Sequence, residues 1–271
     1  MSETMRDRNA LKPILIELCA LAADVIAPYF RKKLNVENKL VDAGEFDPVT
    51  VADRKAETAI RKFIATRFPE DSIYGEEFPP KEGTGPHSWV IDPIDGTKAF
   101  VCGLPTWATL IGICYDGRPI FGAMSQPLVG DIFMGGLGKS ELVRAEQETI
   151  LSTRGEARLI DGTLFATSPD MFQGPEKIAF EALSRAVRMT RFGVDSYAYA
   201  MLAAGQIDLV VESGLGFYDI AALIPVIEAA GGVVSDWEGN EIRQGGRVIA
   251  AANESIHEQA MLTLQGKLAS N

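Results

Sequence analysis

Histidine is nearly missing from this chain, with only His87 and His257 among 271 residues, so an imidazole nucleophile or base has few candidates. Both are expected at the surface. Cysteine is as scarce: Cys19, Cys102 and Cys114 are odd in number and show neither pairing nor metal-ligand spacing. Their pattern argues against a disulfide framework and a zinc cage and suits buried thiols in a reducing compartment. Long hydrophobic runs are lacking too. The stretch from Leu11 to Phe30 is interrupted by Glu17 and Asp24, and that from Ala99 to Tyr115 by Gly103 and Pro105. Neither offers the roughly 20 apolar residues of a spanning helix, and the start of the chain mixes both charge signs, unlike a signal peptide. A soluble, cytoplasmic protein without a membrane partner is the expectation. Positive charge is in deficit, with 26 Lys and Arg against 37 Asp and Glu and a net charge of −11, which argues against nucleic acid as a partner. A small phosphorylated ligand stays open, because bound divalent cations reverse the local sign.

What is present is ordinary globular composition, 46% hydrophobic and 23% charged. Leu11, Leu15, Leu18, Ala22, Val25, Ile26, Tyr29 and Phe30 recur at three and four residues, one face of a long helix. Ala56, Ile60, Phe63 and Ile64 mark a second helix ended by Pro69, and Thr50 with Asp53 has capping-box spacing at its start. The chain from Lys39 to Asp47 reads as polar turns. Ser72 to Tyr74 predicts a short strand running into Gly75-Glu76-Glu77. Thr106 to Tyr115, Arg118 to Gln126 and Asp131 to Gly135 predict antiparallel strands joined by turns. Glu141 to Thr163 is weakly patterned, and a domain boundary is placed near Ile150, dividing 1–150 from 151–271. Beyond it, strands at Thr163–Thr167, Val187–Phe192, Ile207–Glu212, Val233–Ser235 and Val248–Ala250 alternate with helices at Pro175–Ala186, Ser196–Ala204, Asp219–Ala230 and Glu254–Leu268. Such alternation predicts a sheet covered by helices.

One stretch carries concentrated chemistry. Trp89 to Thr97 reads Trp-Val-Ile-Asp-Pro-Ile-Asp-Gly-Thr, placing Asp92 and Asp95 after an apolar run with Pro93 between them. At about 4 Å two such charges repel by roughly 4 kcal/mol at an effective dielectric of 20, so a cation is expected between them. Oxygen ligands without Cys or His point to Mg²⁺, Mn²⁺ or Ca²⁺. Gly96 and Thr97 look like the opening of a short helix whose free amides could receive an anion. Other chemistries fit less well. The two aspartates are one residue too far apart for an aspartyl-phosphate phosphatase, and Gly138-Lys139-Ser140 lacks the upstream glycine of a P-loop, Phe133 standing there instead. No Gly-x-Ser-x-Gly elbow occurs.

Four separated pieces align: Asp47 to Asp53 (Asp-Pro-Val-Thr-x-x-Asp), Gly75-Glu76-Glu77, Trp89 to Thr97, and Tyr218-Asp219 with Ile220-Ala221-Ala222 and Gly231-Gly232. In this order the chain resembles the inositol monophosphatase family of lithium-sensitive, magnesium-dependent phosphatases over nearly its whole length. Tyr218 departs from the tryptophan that many relatives carry before the aspartate, but the resemblance implies that the aspartate is the ligand. The resemblance implies an α+β fold, a layered αβαβα sandwich, and a homodimer. It also implies up to three Mg²⁺, with Mn²⁺ a possible substitute, held by Glu76, Asp92, the carbonyl of Ile94, Asp95 and Asp219. It makes Asp53, Thr97 and Glu76 the catalytic groups and gives the phosphate to the amides of Gly96 and Thr97.

Within the family, Asp95 to Phe100 followed by Gly103 to Leu110, and Asp195-Ser196-Tyr197-Ala198-Tyr199, most resemble the histidinol-phosphatase branch. Asp195 and Glu212 fall where relatives line the non-phosphate end of the substrate. Carboxylates there suit histidinol phosphate, whose ammonium and imidazole can pair with them; inositol phosphate, the alternative, offers neutral hydroxyls. A sugar-bisphosphate or nucleotide phosphatase needs a second basic site, for which Lys98 and Arg191 are thin support. A catalytically idle binding relative is opposed by the intact ligand set.

Overall fold

A computed structural model describes residues 5–33, 37–38, 48–145 and 147–268. Asp47 and the polar stretch before it lie outside the described residues. In chain order the elements are α1 (Arg8–Ile26), β1 (Glu37–Asn38), β2 (Pro48–Val49), α2 (Val51–Arg67), β3 (Ser72–Gly75), β4 (His87–Asp95), α3 (Thr97–Val101), β5 (Ala108–Tyr115), β6 (Arg118–Gln126), β7 (Asp131–Gly136), β8 (Lys139–Arg144) and β9 (Gln147–Ile150). Then follow β10 (Thr163–Ala166), α4 (Pro175–Ala186), β11 (Met189–Phe192), α5 (Tyr197–Ala203), β12 (Leu209–Leu215), α6 (Phe217–Ile220), α7 (Leu223–Glu228), β13 (Val233–Ser235), β14 (Gly246–Ala251) and α8 (Glu254–Leu268).

β3 to β9 form a seven-stranded sheet in sequence order, parallel only between β3 and β4. The second sheet has five strands in the order β11-β10-β12-β14-β13; β10 runs parallel to both neighbours, and β14 runs antiparallel to both of its own. α1 and α2 cover one face of the larger sheet, burying Leu11, Leu15, Leu18, Ile60 and Ile64 against Ile91, Ile111 and Phe121. α5, α6 and α7 fill the space between the sheets, where Leu110, Met124 and Phe133 meet Leu202, Leu223, Val226 and Val248. α4 and α8 close the far side over Leu209, Ile249 and Trp237. The layering is αβαβα, an α+β fold as expected. Among the described residues no helix is long and apolar enough to cross a membrane.

Several expectations need correction. Glu141 to Thr163 contains two strands, β8 and β9. Glu141 is buried there because Arg8 and Lys12 from α1 reach it, each at 2.7 Å. The helix expected over Asp219–Ala230 is two helices: the break at Ala221–Ala222 leaves Pro225 in the first turn of α7, where its missing N–H is harmless. Both histidines are buried. His87 packs edge-on against Tyr115 with ring centroids 5.1 Å apart and its Nε2 accepts the Arg6 amide; His257 Nε2 lies 2.7 Å from Ser235 Oγ. Cys19 and Cys114 are buried as expected, but Cys102 is exposed at the end of α3.

Candidate active site

β4 leads directly into the site. Asp92 stands opposite Leu110 of β5 and Asp95 opposite Ala108, so β4 advances three residues while β5 advances two. Residues three apart in a regular strand point to opposite faces. The bulge at Pro93–Ile94 cancels that alternation and lets both carboxylates serve one point. A proline fits such a break because it has no ladder hydrogen to lose. The carbonyl of Pro93 accepts from Thr109 Oγ1 at 2.8 Å, and the Ile94 amide donates to Asp92 Oδ1 at 3.0 Å. Gly96 then takes φ 77°, a conformation that glycine adopts without strain, and α3 starts at Thr97, whose hydroxyl donates to the Ile94 carbonyl at 3.0 Å.

Asp219 arrives from the second half through a furrow of bare backbone. Gly112, Gly122 and Gly135 are register neighbours across β5, β6 and β7. A methyl group at Gly122 would stand 2.0 Å from the Ala222 carbonyl oxygen, and one at Gly135 would stand 2.3 Å from Val226 Cα. With no side chains in the way, α6 and α7 settle onto the sheet and α6 packs against β4. Asp219 Oδ2 accepts the Gly216 amide at 2.6 Å, completing the turn that starts α6.

Carboxylate oxygens of Asp92, Asp95 and Asp219 lie within 4.8 Å of one another. Burial, then the charges of Glu76, Asp95 and Asp219, holds the Asp92 carboxyl well above the usual carboxylate range. Burial and the charges of Asp95 and Glu76 do the same to Asp219, while burial and Asp195 push Asp95 up to about 7 against its hydrogen bonds from Ser196. Glu76 therefore belongs electrostatically to this cluster. Among the described residues no lysine or arginine forms an ion pair with Asp92, Asp95 or Asp219. Clustered, mutually repelling oxygen donors without a paired side-chain cation fit a hard divalent ion such as Mg²⁺.

Asp53 sits at the start of α2, where the expected capping box forms. Its Oδ2 accepts the Thr50 amide at 2.9 Å and the Thr50 hydroxyl at 2.5 Å, while Thr50 Oγ1 accepts the Ala52 amide at 3.1 Å. Asp53 Oδ1 is buried without a hydrogen-bond partner among the described residues. Burial pushes its pKa up to about 6, with Glu77 adding to the rise and Thr50 opposing it.

The other wall comes from the loop before α5. Gly193, Val194 and Asp195 have φ of 85°, 76° and 45°, a left-handed run that is strained at a β-branched residue. That run brings Asp195 over the start of α3, where a methyl group on Gly96 would lie 2.9 Å from Asp195 Oδ2, and directs the Ser196 amide at Asp95 Oδ2, 2.8 Å away. Glu212 Oε1 accepts from the Thr167 amide at 2.8 Å and hydroxyl at 2.5 Å, and its Oε2 accepts from the Tyr199 hydroxyl at 2.8 Å. Burial pushes Glu212 up to about 7 against those bonds; burial and Glu212 push Asp195 up to about 6, opposed by Lys98. Asp95, Asp195, Glu212 and Asp219 line a cavity of about 160 Å³ that has no basic residue in its wall among the described residues. A larger hollow of about 530 Å³ beside Tyr74, Pro86, Phe217 and Arg243 shares none of the lining residues of this cavity.

Ten residues were expected here from sequence. Asp92, Asp95 and Asp219 come together with Glu76, Ile94, Gly96 and Thr97 beside them; Asp195 and Glu212 share the adjoining cavity, and Asp53 stands at the start of α2, facing Glu77. Sequence reasoning missed Ser196, Thr167 and Tyr199, which hold Asp95 and Glu212, and Glu57 and Arg61 of α2. For the last two a signal was available: they repeat the Asp53 position at four-residue intervals.

A profile of the inositol monophosphatase family matches residues 7–268. The chain is 38% identical to the protein named bifunctional phosphatase IMPL2, chloroplastic, of Arabidopsis thaliana, over 98% of this chain and 77% of that one. It is 33% identical to a histidinol-phosphatase of Streptomyces coelicolor over 91% of this chain and 94% of that one. The solved structure of an inositol monophosphatase from Zymomonas mobilis superimposes with a TM-score of 0.84 at 36% identity, covering 96% of this chain and 100% of the other.

Proposed function

Since the chain belongs to the inositol monophosphatase family and is a metal-dependent phosphatase of that family, we propose that it hydrolyses L-histidinol phosphate, a step of histidine biosynthesis. One observation carries the choice: the cavity beside the acidic cluster holds Asp195 and Glu212 and, among the described residues, has no cation in its wall, which favours a substrate whose non-phosphate end is positive. Relatives named histidinol-phosphatase support it, while others of comparable identity are named inositol-1-monophosphatase.

In this reading Glu76, Asp92, the Ile94 carbonyl, Asp95 and Asp219 hold up to three Mg²⁺, for which Mn²⁺ can substitute. When bound, the ions neutralise phosphoryl charge, acidify a water and stabilise the departing alkoxide. The amides of Gly96 and Thr97 receive a phosphoryl oxygen at the start of α3. Thr97, Asp53 and Glu76 orient the attacking water, and Asp53, whose Oδ1 has no hydrogen-bond partner among the described residues, takes the proton from it. Water oxygen bonds to phosphorus as the ester bond breaks in line, and the alkoxide leaves as an alcohol after taking up a proton. Asp195 and Glu212 meanwhile hold the ammonium and imidazolium.

The test compares kcat/KM with Mg²⁺ for L-histidinol phosphate and inositol 1-phosphate, using Asp95→Asn as a control. Preference for the first and loss of phosphate release in the variant are expected. A reversed preference discards the substrate and keeps the class; undiminished release by Asp95→Asn discards the assigned metal site.

A further inference from the structure

Beyond Asp53, α2 holds a second part of the site. Asp53, Glu57 and Arg61 lie four residues apart on one face of this helix. Glu57 is fully buried, and its Oε1 accepts Arg61 Nε at 2.7 Å. Each partner also reaches outward to the backbone of one turn: Glu57 Oε2 accepts the Glu77 amide at 2.7 Å, and Arg61 Nη2 donates to the Phe78 carbonyl at 2.9 Å. Upstream, the Glu76 amide donates to the Ile91 carbonyl at 3.2 Å. Gly75 closes the fit, since a methyl group there would stand 2.0 Å from Glu57 Oε1.

A buried ion pair is a poor device for stability alone, because desolvating two charges consumes most of their attraction and a well-packed apolar pair does as well. Two bonds to the backbone of consecutive residues, Glu77 and Phe78, are something an apolar pair cannot make. The turn they fix is the one that carries Glu76 to Asp92. We propose that Glu57 and Arg61 are positioning residues that set where the Glu76 carboxylate stands and thereby the cation affinity of the site. The inference rests on the reading of Glu76 as a metal ligand.

Full-length protein is titrated with Mn²⁺ by calorimetry as wild type, Glu57→Gln, Glu76→Gln and the double variant. An amide has one oxygen for two donors, so Glu57→Gln must lose either Arg61 or the Glu77 amide. Its Mn²⁺ Kd is expected to rise roughly 10- to 100-fold, the usual cost of removing support behind a metal ligand. In the Glu76→Gln background the same change is expected to add nothing. Should Glu57→Gln fail to fold, Arg61→Met removes the Phe78 contact and runs the same cycle. Unchanged Kd, or an equal further loss in both backgrounds, overturns the proposal as evidence of a merely structural role. Wild-type Mn²⁺ affinity in Glu76→Gln overturns the ligand reading and this inference with it.

Discussion

A methyl group at Gly122 has no room. Built on the existing backbone it lies 2.0 Å from the Ala222 carbonyl oxygen and 2.7 Å from the carbonyl carbon. Favourable carbon contacts need roughly 3.5 Å or more, so β6 and the α6–α7 segment must part by about 1.5 Å in Gly122→Ala. Overpacking of this kind costs about 1–3 kcal/mol. With an unfolding entropy of about 2.1 cal/mol/K per residue, Tm should fall by roughly 2–5 °C in a chain of this size. Asp219 stands three residues before Ala222 and moves with the segment, so the Mg²⁺ concentration for half-maximal phosphate release should rise on the order of 10- to 100-fold. Gly117→Ala is the matched control. That residue sits in an open turn at φ 74° with nothing within 4 Å of the new methyl, so it loses about 1–2 kcal/mol through backbone strain alone. It should melt earlier yet keep its Mg²⁺ dependence. Melting curves and Mg²⁺ titrations of both variants decide the matter. If Gly122→Ala keeps wild-type Mg²⁺ dependence, or Gly117→Ala loses it as well, the furrow does not place Asp219.

Asp195→Asn removes one charge from the cavity wall and should raise KM for L-histidinol phosphate about tenfold or more while leaving that for inositol 1-phosphate within about twofold, on the scale of one charged hydrogen bond; steady-state kinetics on both substrates checks it. Away from the site, Glu141 contributes to the acid limb of stability. Burial alone would raise its pKa, but hydrogen bonds from Lys12, Lys139 and Arg8 outweigh it and hold the carboxyl at about 2, against 4.5 for an ordinary glutamate. A folded value below the unfolded one means stability that is full above pH 4.5 and lost as pH falls toward 2. Denaturation midpoints measured from pH 6 to pH 2 should therefore fall less steeply for Glu141→Gln than for wild type, and parallel curves would refute the assignment.

Much of the site was legible because its geometry is local. Asp92 to Thr97 encode their own bulge and helix start through Pro93 and Gly96, and Thr50 with Asp53 encodes its own cap. Alternation and helical periodicity located most elements for the same reason. What escaped notice depends on partners far along the chain. β8 is not amphipathic in the usual sense, since its Glu141 is buried by cations more than a hundred residues away. β9 has no buried face, so it leaves no period-two trace. His87 and His257 are interior because Arg6 and Ser235 meet them, and neither partner is a sequence neighbour. Nor could spacing announce the furrow: Gly112, Gly122 and Gly135 become a row only when three strands are in register.

The helices between the two sheets also come late in the order of synthesis. A growing chain that has emerged only through β9 already owns Glu76, Asp92 and Asp95, but Leu110, Met124 and Phe133 have nothing to cover them until α5 and α7 are made. Until then the nascent polypeptide lacks Asp219 and the apolar partners of those three residues. The acidic cluster and the apolar cover are completed by the same late segment, which carries both Asp219 and α7.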